Sequence, residues 1–227
     1  EVIWLNNVPK ELFRPIVGYD DIKELFKRSI VSEKPTHILL VGPPASAKTL
    51  FLLECSRLRD AEFVYGYKMT KAGLLRILFD MAPRILLIDE IEKADRDSLD
   101  ILLGLMSEGL VKDVTAYSWR EKRINCRVYA TANNAEALAP ELLSRFHFKL
   151  ELKAYTQKEY VQVASKVLMH LENVQVDLAE YIATKLADGT ADIREAIGIA
   201  RLAKSVEDVD NLLKLRKKYK LYYRLIY

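Results

Sequence analysis

Two runs in this chain, HILLVG (37–42) and RILLIDE (84–90), stay apolar almost residue after residue instead of alternating. A strand with one wet face alternates polar and apolar side chains. A continuously apolar strand has both faces covered, as in a parallel sheet layered between helices. Three further β-rich runs, EFVYGY (62–67), RVYATANN (127–134) and HFKLEL (147–152), bring the candidates to five. Helical stretches lie between them, at TLFLLECSRLRDA (49–61), KAGLLRILFDM (71–81) and DSLDILLGLM (97–106). Alternation of this kind predicts an α/β domain over residues 1–153.

After residue 153 the strand signal stops. Thr156 and Glu159 form a T-x-x-E capping box ahead of YVQVASKVLMHL, which starts a helix. VDLAEYIATKLADG, ending at Gly189, and DIREAIGIARLAK give two more, and EDVDNLLKLRKKYKLYYRLIY closes the chain. Residues 154–227 therefore read as a small all-helical subdomain with a basic C-terminal helix, joined without a low-complexity linker, so the join is expected to be a tight hinge.

Composition excludes more than it assigns. The 227 residues carry a formal charge of +3, which neither demands nor excludes a nucleic-acid partner. Cys55 and Cys126 lack the companions a zinc site needs and are expected to be reduced thiols in a cytoplasmic protein. His37, His147 and His170 are scattered, which argues against histidine catalysis. No apolar run approaches the length of a membrane span, and no signal peptide precedes the first strand.

HILLVGPPASAKTLFLL reads as buried strand, loop and helix, the context of a Walker A phosphate loop. The loop of Gly42, Pro43, Pro44, Ala45, Ser46 and Ala47 wraps the phosphates with the backbone N–H groups of its non-proline residues, the helix from Lys48, Thr49 and Leu50 supplies its positive end, and Lys48 supplies a cation for the β- and γ-phosphates. Thr49 is placed to put its hydroxyl on Mg²⁺. Ala47 stands where G-x-x-x-x-G-K-S/T has its last glycine, and Ala45 replaces another. Each adds a Cβ near phosphate, a reason to expect weaker affinity. A chance strand–loop–helix with a surface lysine is the plain alternative.

RILLIDE ends in Asp89 and Glu90 at the C-terminal edge of an apolar strand, where ligands of open α/β sheets gather. An aspartate there can hold the hydration shell of magnesium, and the following glutamate can activate the attacking water. A strand that merely ends in solvated acids is the competing reading, weakened by the loop upstream.

GPPASAKT followed by ILLIDE resembles the Walker A and B pair of AAA+ ATPases. The resemblance covers residues 11–205 and implies a five-stranded parallel sheet with a small helical lid, ATP and Mg²⁺ as ligands, and a homo-oligomeric ring, a hexamer by analogy. VYATANN resembles the sensor 1 strand, which implies that Asn133 contacts the γ-phosphate and positions water, with Asn134 still in contention. PELLSRF resembles the arginine-finger segment, with Arg145 reaching a neighbouring subunit's ATP. GTADIREAIGIARL resembles the sensor 2 helix and assigns Arg194 to the phosphates. FRPIVGYDDIKELF resembles the adenine-packing segment, through Ile16, Val17 and Gly18.

Within the superfamily, KMTKAGLLRILFDMAPRILLIDEIEK and GTADIR resemble the RuvB branch, a DNA branch-migration motor, although the chain leaves no room after the lid for a winged-helix domain. Ala47 is instead similar to MoxR-like chaperone ATPases, which act on protein clients or insert cofactors. LVKDVTAY (110–117), SWRE and KRINCRVYA (122–130) read as a hairpin ahead of sensor 1. Its Tyr117, Trp119, Arg120, Lys122 and Arg123 suit a nucleic-acid backbone in a ring pore. An ordinary hairpin whose tryptophan packs on a neighbouring subunit fits equally. Tyr67, Lys68 and Met69 form a second pore candidate. Leu215, Tyr219, Tyr222 and Ile226 place one apolar face on the last helix, expected to pack on the lid or a neighbour. The leading expectation is an ATP-driven motor acting on DNA. A protein remodeller and a nucleotide-dependent assembly switch are the alternatives.

Overall fold

The computed structural model describes residues 8–9, 11–44, 46–114, 119–187 and 193–219. The chain forms two compact units, Glu1–Ala154 and Tyr155–Tyr227.

In the first unit the strands are β1 (Ile38–Val41), β2 (Ala61–Tyr65), β3 (Ile85–Asp89), β4 (Leu110–Val114), β5 (Trp119–Arg123), β6 (Arg127–Ala132) and β7 (Phe148–Glu151). Five of them make one sheet in the order β2-β3-β6-β1-β7, every neighbouring pair parallel. The continuously apolar runs occupy its centre. β3 and β6 are buried at every residue, and Ile38, Leu39 and Leu40 of β1 are fully enclosed. The edge strands β2 and β7 carry the more polar runs. Burying each central Leu or Ile contributes about 1.5–3 kcal/mol, which favours this strand order over one exposing them.

The helices of this unit are α1 (Asp20–Val31), α2 (Lys48–Cys55), α3 (Lys71–Arg76), α4 (Arg96–Glu108) and α5 (Pro140–Arg145). Thr70 caps α3 through Gly73 N–H, and Asp95 caps α4 through Ser98 N–H. α4 stops at Gly109, whose φ of 65° is the left-handed residue that ends many helices. α3 continues as a π-helical turn over Ile77–Met81. The helix expected over 49–61 is shorter. Beyond Cys55 the chain turns, and the Asp60 carbonyl accepts from Arg84 and Ile85 N–H, tying the segment to the start of β3.

The hairpin also differs from its sequence reading. β4 pairs antiparallel with β5, so Trp119 and Arg120 stand in the return strand instead of the turn. Ile124 N–H donates to the Gly109 carbonyl and closes the hairpin base. Arg127 then enters the main sheet as β6, buried, its guanidinium donating to the Ser29 and Ser32 carbonyls.

The second unit holds α6 (Gln157–Leu171), α7 (Val176–Leu186), α8 (Ile193–Leu202) and α9 (Val206–Tyr219). The Thr156–Glu159 capping box is formed in both directions. Tyr181 donates to Asp210 at 2.9 Å, and Arg201 pairs with Glu172 at 2.8 Å. Leu202, Leu215 and Tyr219 stay exposed along α8 and α9, so among the described residues the apolar face expected on the last helix is not covered. Tyr222 and Ile226 lie outside the described residues.

Candidate nucleotide site

The site sits at the C-terminal edge of the sheet because three adjacent central strands end there. β1 runs into Gly42, whose N–H donates to the Ala132 carbonyl at 3.2 Å. A Cβ at Gly42 would overlap the carbonyl oxygen of Leu152, so the loop can leave the sheet this closely only without a side chain. Pro43 and Pro44 follow, then the first turn of α2. Ala45 lies outside the described residues. Ala47 has φ −67° and ψ −1°, ordinary right-handed backbone, so the alanine in place of glycine brings no torsional strain.

Lys48 is 5% exposed. Its ammonium donates to the Gly42 and Pro43 carbonyls, each at 2.7 Å, and to Ser46 Oγ at 3.1 Å. Burial holds its pKa below the ordinary lysine value, against the pull of Asp89, Glu92 and Glu90, which favour the charge. The loop carbonyls thus satisfy a cation that faces three carboxylates.

The Thr49 hydroxyl donates to Asp89 Oδ1 at 3.1 Å, and Thr131 Oγ1 donates to the same oxygen at 2.6 Å. Asp89, at the end of β3, is therefore held from α2 on one side and from β6 on the other. Thr131 also accepts the Glu90 N–H at 2.9 Å. This matters because Glu90 has φ 57°, a left-handed conformation that a residue with a Cβ adopts at a cost. Gly66 packs so closely under this peptide that a Cβ there would overlap the Glu90 carbonyl oxygen.

The Glu90 carboxylate pairs with Lys93 at 2.8 Å and accepts from Asn133 Nδ2 at 3.2 Å. That ion pair raises the Lys93 pKa. Asn133 also reaches Glu92, whose Oε1 accepts its backbone N–H at 2.9 Å and its Nδ2 at 3.0 Å. Among the described residues Glu92 Oε2 is buried with no hydrogen-bond partner. Asn134 instead turns onto its own chain, its Oδ1 accepting Glu136 N–H at 2.8 Å.

The structure thus brings Lys48, Thr49, Asp89, Glu90 and Asn133 to one sheet edge. Leu50 follows Thr49 within α2 and is half-buried. Ile16 is buried and Val17 half-buried, while Gly18 has φ 70° and is exposed. This segment is fixed to α2 through Phe13 N–H on Glu54 at 3.0 Å and through ring contacts of Phe13 and Tyr19 with Phe51. Arg145 is exposed at the end of α5 without a hydrogen bond or ion pair among the described residues. Arg194 is exposed on α8 of the second unit.

Three residues of the site, Thr131, Glu92 and Lys93, escape the sequence reading. Glu92 and Lys93 had a local signal, since they fall on the turn directly after the acidic pair. Thr131 had none beyond being a polar residue inside an apolar strand.

The hairpin cations are committed within the chain. Arg120 pairs with Asp113 at 3.0 Å and lies 4.5 Å from the Phe79 ring centroid. Lys122 donates to the Phe79 carbonyl at 2.6 Å, and Arg123 to the Glu108 carbonyl at 3.2 Å. Both carbonyls lie near helix ends, where acceptors are unsatisfied and the dipole attracts cations. Trp119 is 66% exposed, and Tyr117 lies outside the described residues. After β2, Tyr67 is 56% exposed, with Lys68 near the faces of Tyr65 and Tyr67, while Met69 is buried.

Among the described residues no helix is long and apolar enough to cross a membrane, and no group of three or more His, Cys, Asp or Glu side chains is gathered as a metal cage. Cys55 and Cys126 are buried free thiols, and burial pushes Cys126 up to about 12.

Comparison with known proteins agrees with the fold and narrows the family. The proteasome regulatory subunit 6B homolog of Schizosaccharomyces pombe is 28% identical over 188 residues, covering 73% of this chain and 48% of that protein. The Holliday junction branch migration complex subunit RuvB of Pseudothermotoga lettingae is 25% identical over 217 residues, covering 88% of this chain and 61% of that one. The chain therefore spans only part of the length of these curated relatives. Solved RuvB from Thermotoga maritima superposes with a TM-score of 0.66 at 20% identity, over 92% of this chain and 73% of that chain, a likeness of fold. The family model for ATPases associated with various cellular activities (AAA) matches residues 38–154, over half of the sequence, and this chain belongs to that family.

Proposed function

We propose that this chain is an ATP-hydrolysing subunit of a homo-oligomeric ring, with residues 1–153 as the nucleotide-binding core and 154–227 as its lid. The observation that carries the reading is the bond from Thr49 to Asp89, 3.1 Å long and seated beside the buried Lys48. A hydroxyl and a carboxylate so placed are the hard oxygen donors that Mg²⁺ prefers, and a bound ion would neutralise phosphate charge there. Lys48 exchanges its loop carbonyls for the β- and γ-phosphates. Glu90 accepts a proton from the attacking water, Asn133 orients that water, and Arg145 enters the site of the adjacent subunit. Ile16, Val17 and Gly18 receive the base.

The load is DNA in the leading reading, motivated by the RuvB likeness across most of the chain. A second reading, a polypeptide load, is favoured by a specific observation. Arg120, Lys122 and Arg123 are spent on intramolecular partners, whereas Tyr67 and Lys68 stand exposed together. Steady-state Mg²⁺-ATPase activity against protein concentration, with branched DNA, duplex DNA or an unfolded polypeptide added, tests both levels. A rate per subunit that climbs with concentration and again with DNA supports the DNA motor. Stimulation by polypeptide alone transfers the proposal to protein remodelling. ATP binding without turnover would leave a nucleotide-dependent assembly switch.

A further inference from the structure

We infer that Glu92 is a positioning residue which turns Asn133 into an acceptor for the attacking water instead of a donor to phosphate. The inference rests on the functional reading above, in which Asn133 and Glu90 serve hydrolysis.

A side-chain amide has two N–H donors on nitrogen and acceptor capacity on oxygen. In Asn133 the nitrogen faces two carboxylate oxygens, Glu90 Oε1 at 3.2 Å and Glu92 Oε1 at 3.0 Å. Carboxylates only accept, so the nitrogen must be the atom on that side, and both its hydrogens are spent. What Asn133 has left to offer is Oδ1, which repels a phosphate oxygen and welcomes a water hydrogen. Glu92 fixes this orientation from two directions, because its Oε1 also takes the Asn133 backbone N–H at 2.9 Å.

The other Glu92 oxygen gives the second argument. Among the described residues Oε2 is buried with no donor, a state that costs stability. Folding alone would be better served by a residue without that second oxygen. The carboxylate is held in place for what Oε1 does to Asn133, and through it to the water that Glu90 must meet. A water constrained by Glu90 on one side and Asn133 Oδ1 on the other has its lone pair aimed by two acceptors, and such orientation is a major source of rate in hydrolysis.

The test uses the full chain with Glu92→Ala, Glu92→Gln, Asn133→Ala and the Glu92→Ala/Asn133→Ala double variant. Without nucleotide, the ¹H–¹⁵N resonances of the Asn133 side-chain amide should move upfield in Glu92→Ala, as a charge-assisted hydrogen bond is lost. With ATP, Glu92→Ala should lower kcat about tenfold to a hundredfold while KM stays within about threefold. Glu92→Gln keeps a carbonyl acceptor and should recover most of that rate. In the double variant the loss should equal that of Asn133→Ala alone, because one residue acts through the other. An unmoved amide resonance overturns the inference, as does a full further loss on the Asn133→Ala background or a change confined to KM. If the wild-type chain turns over no ATP, the functional reading fails separately, and the amide resonance still decides whether Glu92 holds Asn133.

Discussion

Replacing Thr131 by valine should damage both stability and chemistry, and the size of the damage follows from two bonds. The side chain is 1% exposed. Its hydroxyl donates to Asp89 at 2.6 Å and accepts the Glu90 N–H at 2.9 Å. Valine has nearly the same shape, so packing between β1 and β6 survives while both bonds vanish. A hydrogen bond to a carboxylate contributes about 1.5–3 kcal/mol and one to a backbone N–H about 1 kcal/mol. The expected destabilisation is therefore about 2–4 kcal/mol. At roughly 2–4 °C per kcal/mol for a unit of this size, the melting transition of Glu1–Ala154 should fall by on the order of 10 °C. Turnover should fall further than ATP affinity, because the lost N–H bond is one of the contacts holding Glu90 at φ 57°. Thr131→Ser is the control: it keeps the hydroxyl and loses one methyl, about 1 kcal/mol. Differential scanning calorimetry and steady-state ATPase assays on both variants decide the matter. If Thr131→Val melts within 2 °C of Thr131→Ser, by order of magnitude the resolution of such a comparison, the hydroxyl does not organise the acids and the reasoning is refuted.

Other perturbations probe different links. Glu90→Gln should bind ATP with near wild-type affinity yet lose about a hundredfold or more in kcat, as expected of a general base; a wild-type rate would remove Glu90 from that role. Arg145→Ala should lose about a thousandfold in kcat at full assembly, and small amounts should poison wild-type rings; strictly proportional activity in mixtures would reject a finger acting between subunits. The third concerns pH. Burial and the neighbouring His147 depress the His37 pKa to about 4, while Val128 N–H donating to Nδ1 at 3.0 Å leaves Nε2 to donate to Met106 O at 3.2 Å. The unfolded chain binds this proton below about pH 6.5 and the folded chain does so only near pH 4, so stability is lost as the pH drops from about 6.5 to about 4, by about 3 kcal/mol in all. His37→Gln should flatten that slope in urea titrations, and an unchanged slope would assign it elsewhere.

Much of the architecture is written locally. HILLVG and RILLIDE become central strands because their side chains have nowhere dry to go except between helix layers, and Thr156 with Glu159 starts α6 because the cap is complete within four residues. The position of Asp89 and Glu90 at the end of β3 was legible for the same reason: polar groups closing an apolar strand. What resisted reading depends on contacts between distant residues. Thr131 and Glu92 each reach a partner about forty positions away, and neither strand nor turn chemistry announces that. The return arm of the hairpin was misplaced because WREKR and KRINCRVYA are both acceptable β sequences. The choice falls to Ile124 bonding Gly109 and to the buried Arg127 bonding Ser29 and Ser32, which pull the chain off the hairpin and into the sheet. The cations of that hairpin looked available because sequence shows charge but not the partners that consume it, helix-end carbonyls for Lys122 and Arg123 and the Asp113 carboxylate for Arg120.

The contact between Gly66 and the Glu90 peptide gives the site a mechanical character. The aromatic turn of Tyr65, Tyr67 and Lys68 and the acidic turn of Glu90 press backbone on backbone, with no side chain between them to yield as a cushion. A stiff joint of this kind passes displacement instead of absorbing it. A pull on the exposed Tyr67 ring would therefore reach the Glu90 peptide directly, so in the function proposed above a load gripped at the surface and the carboxylate assigned to the attacking water would share one hinge pin.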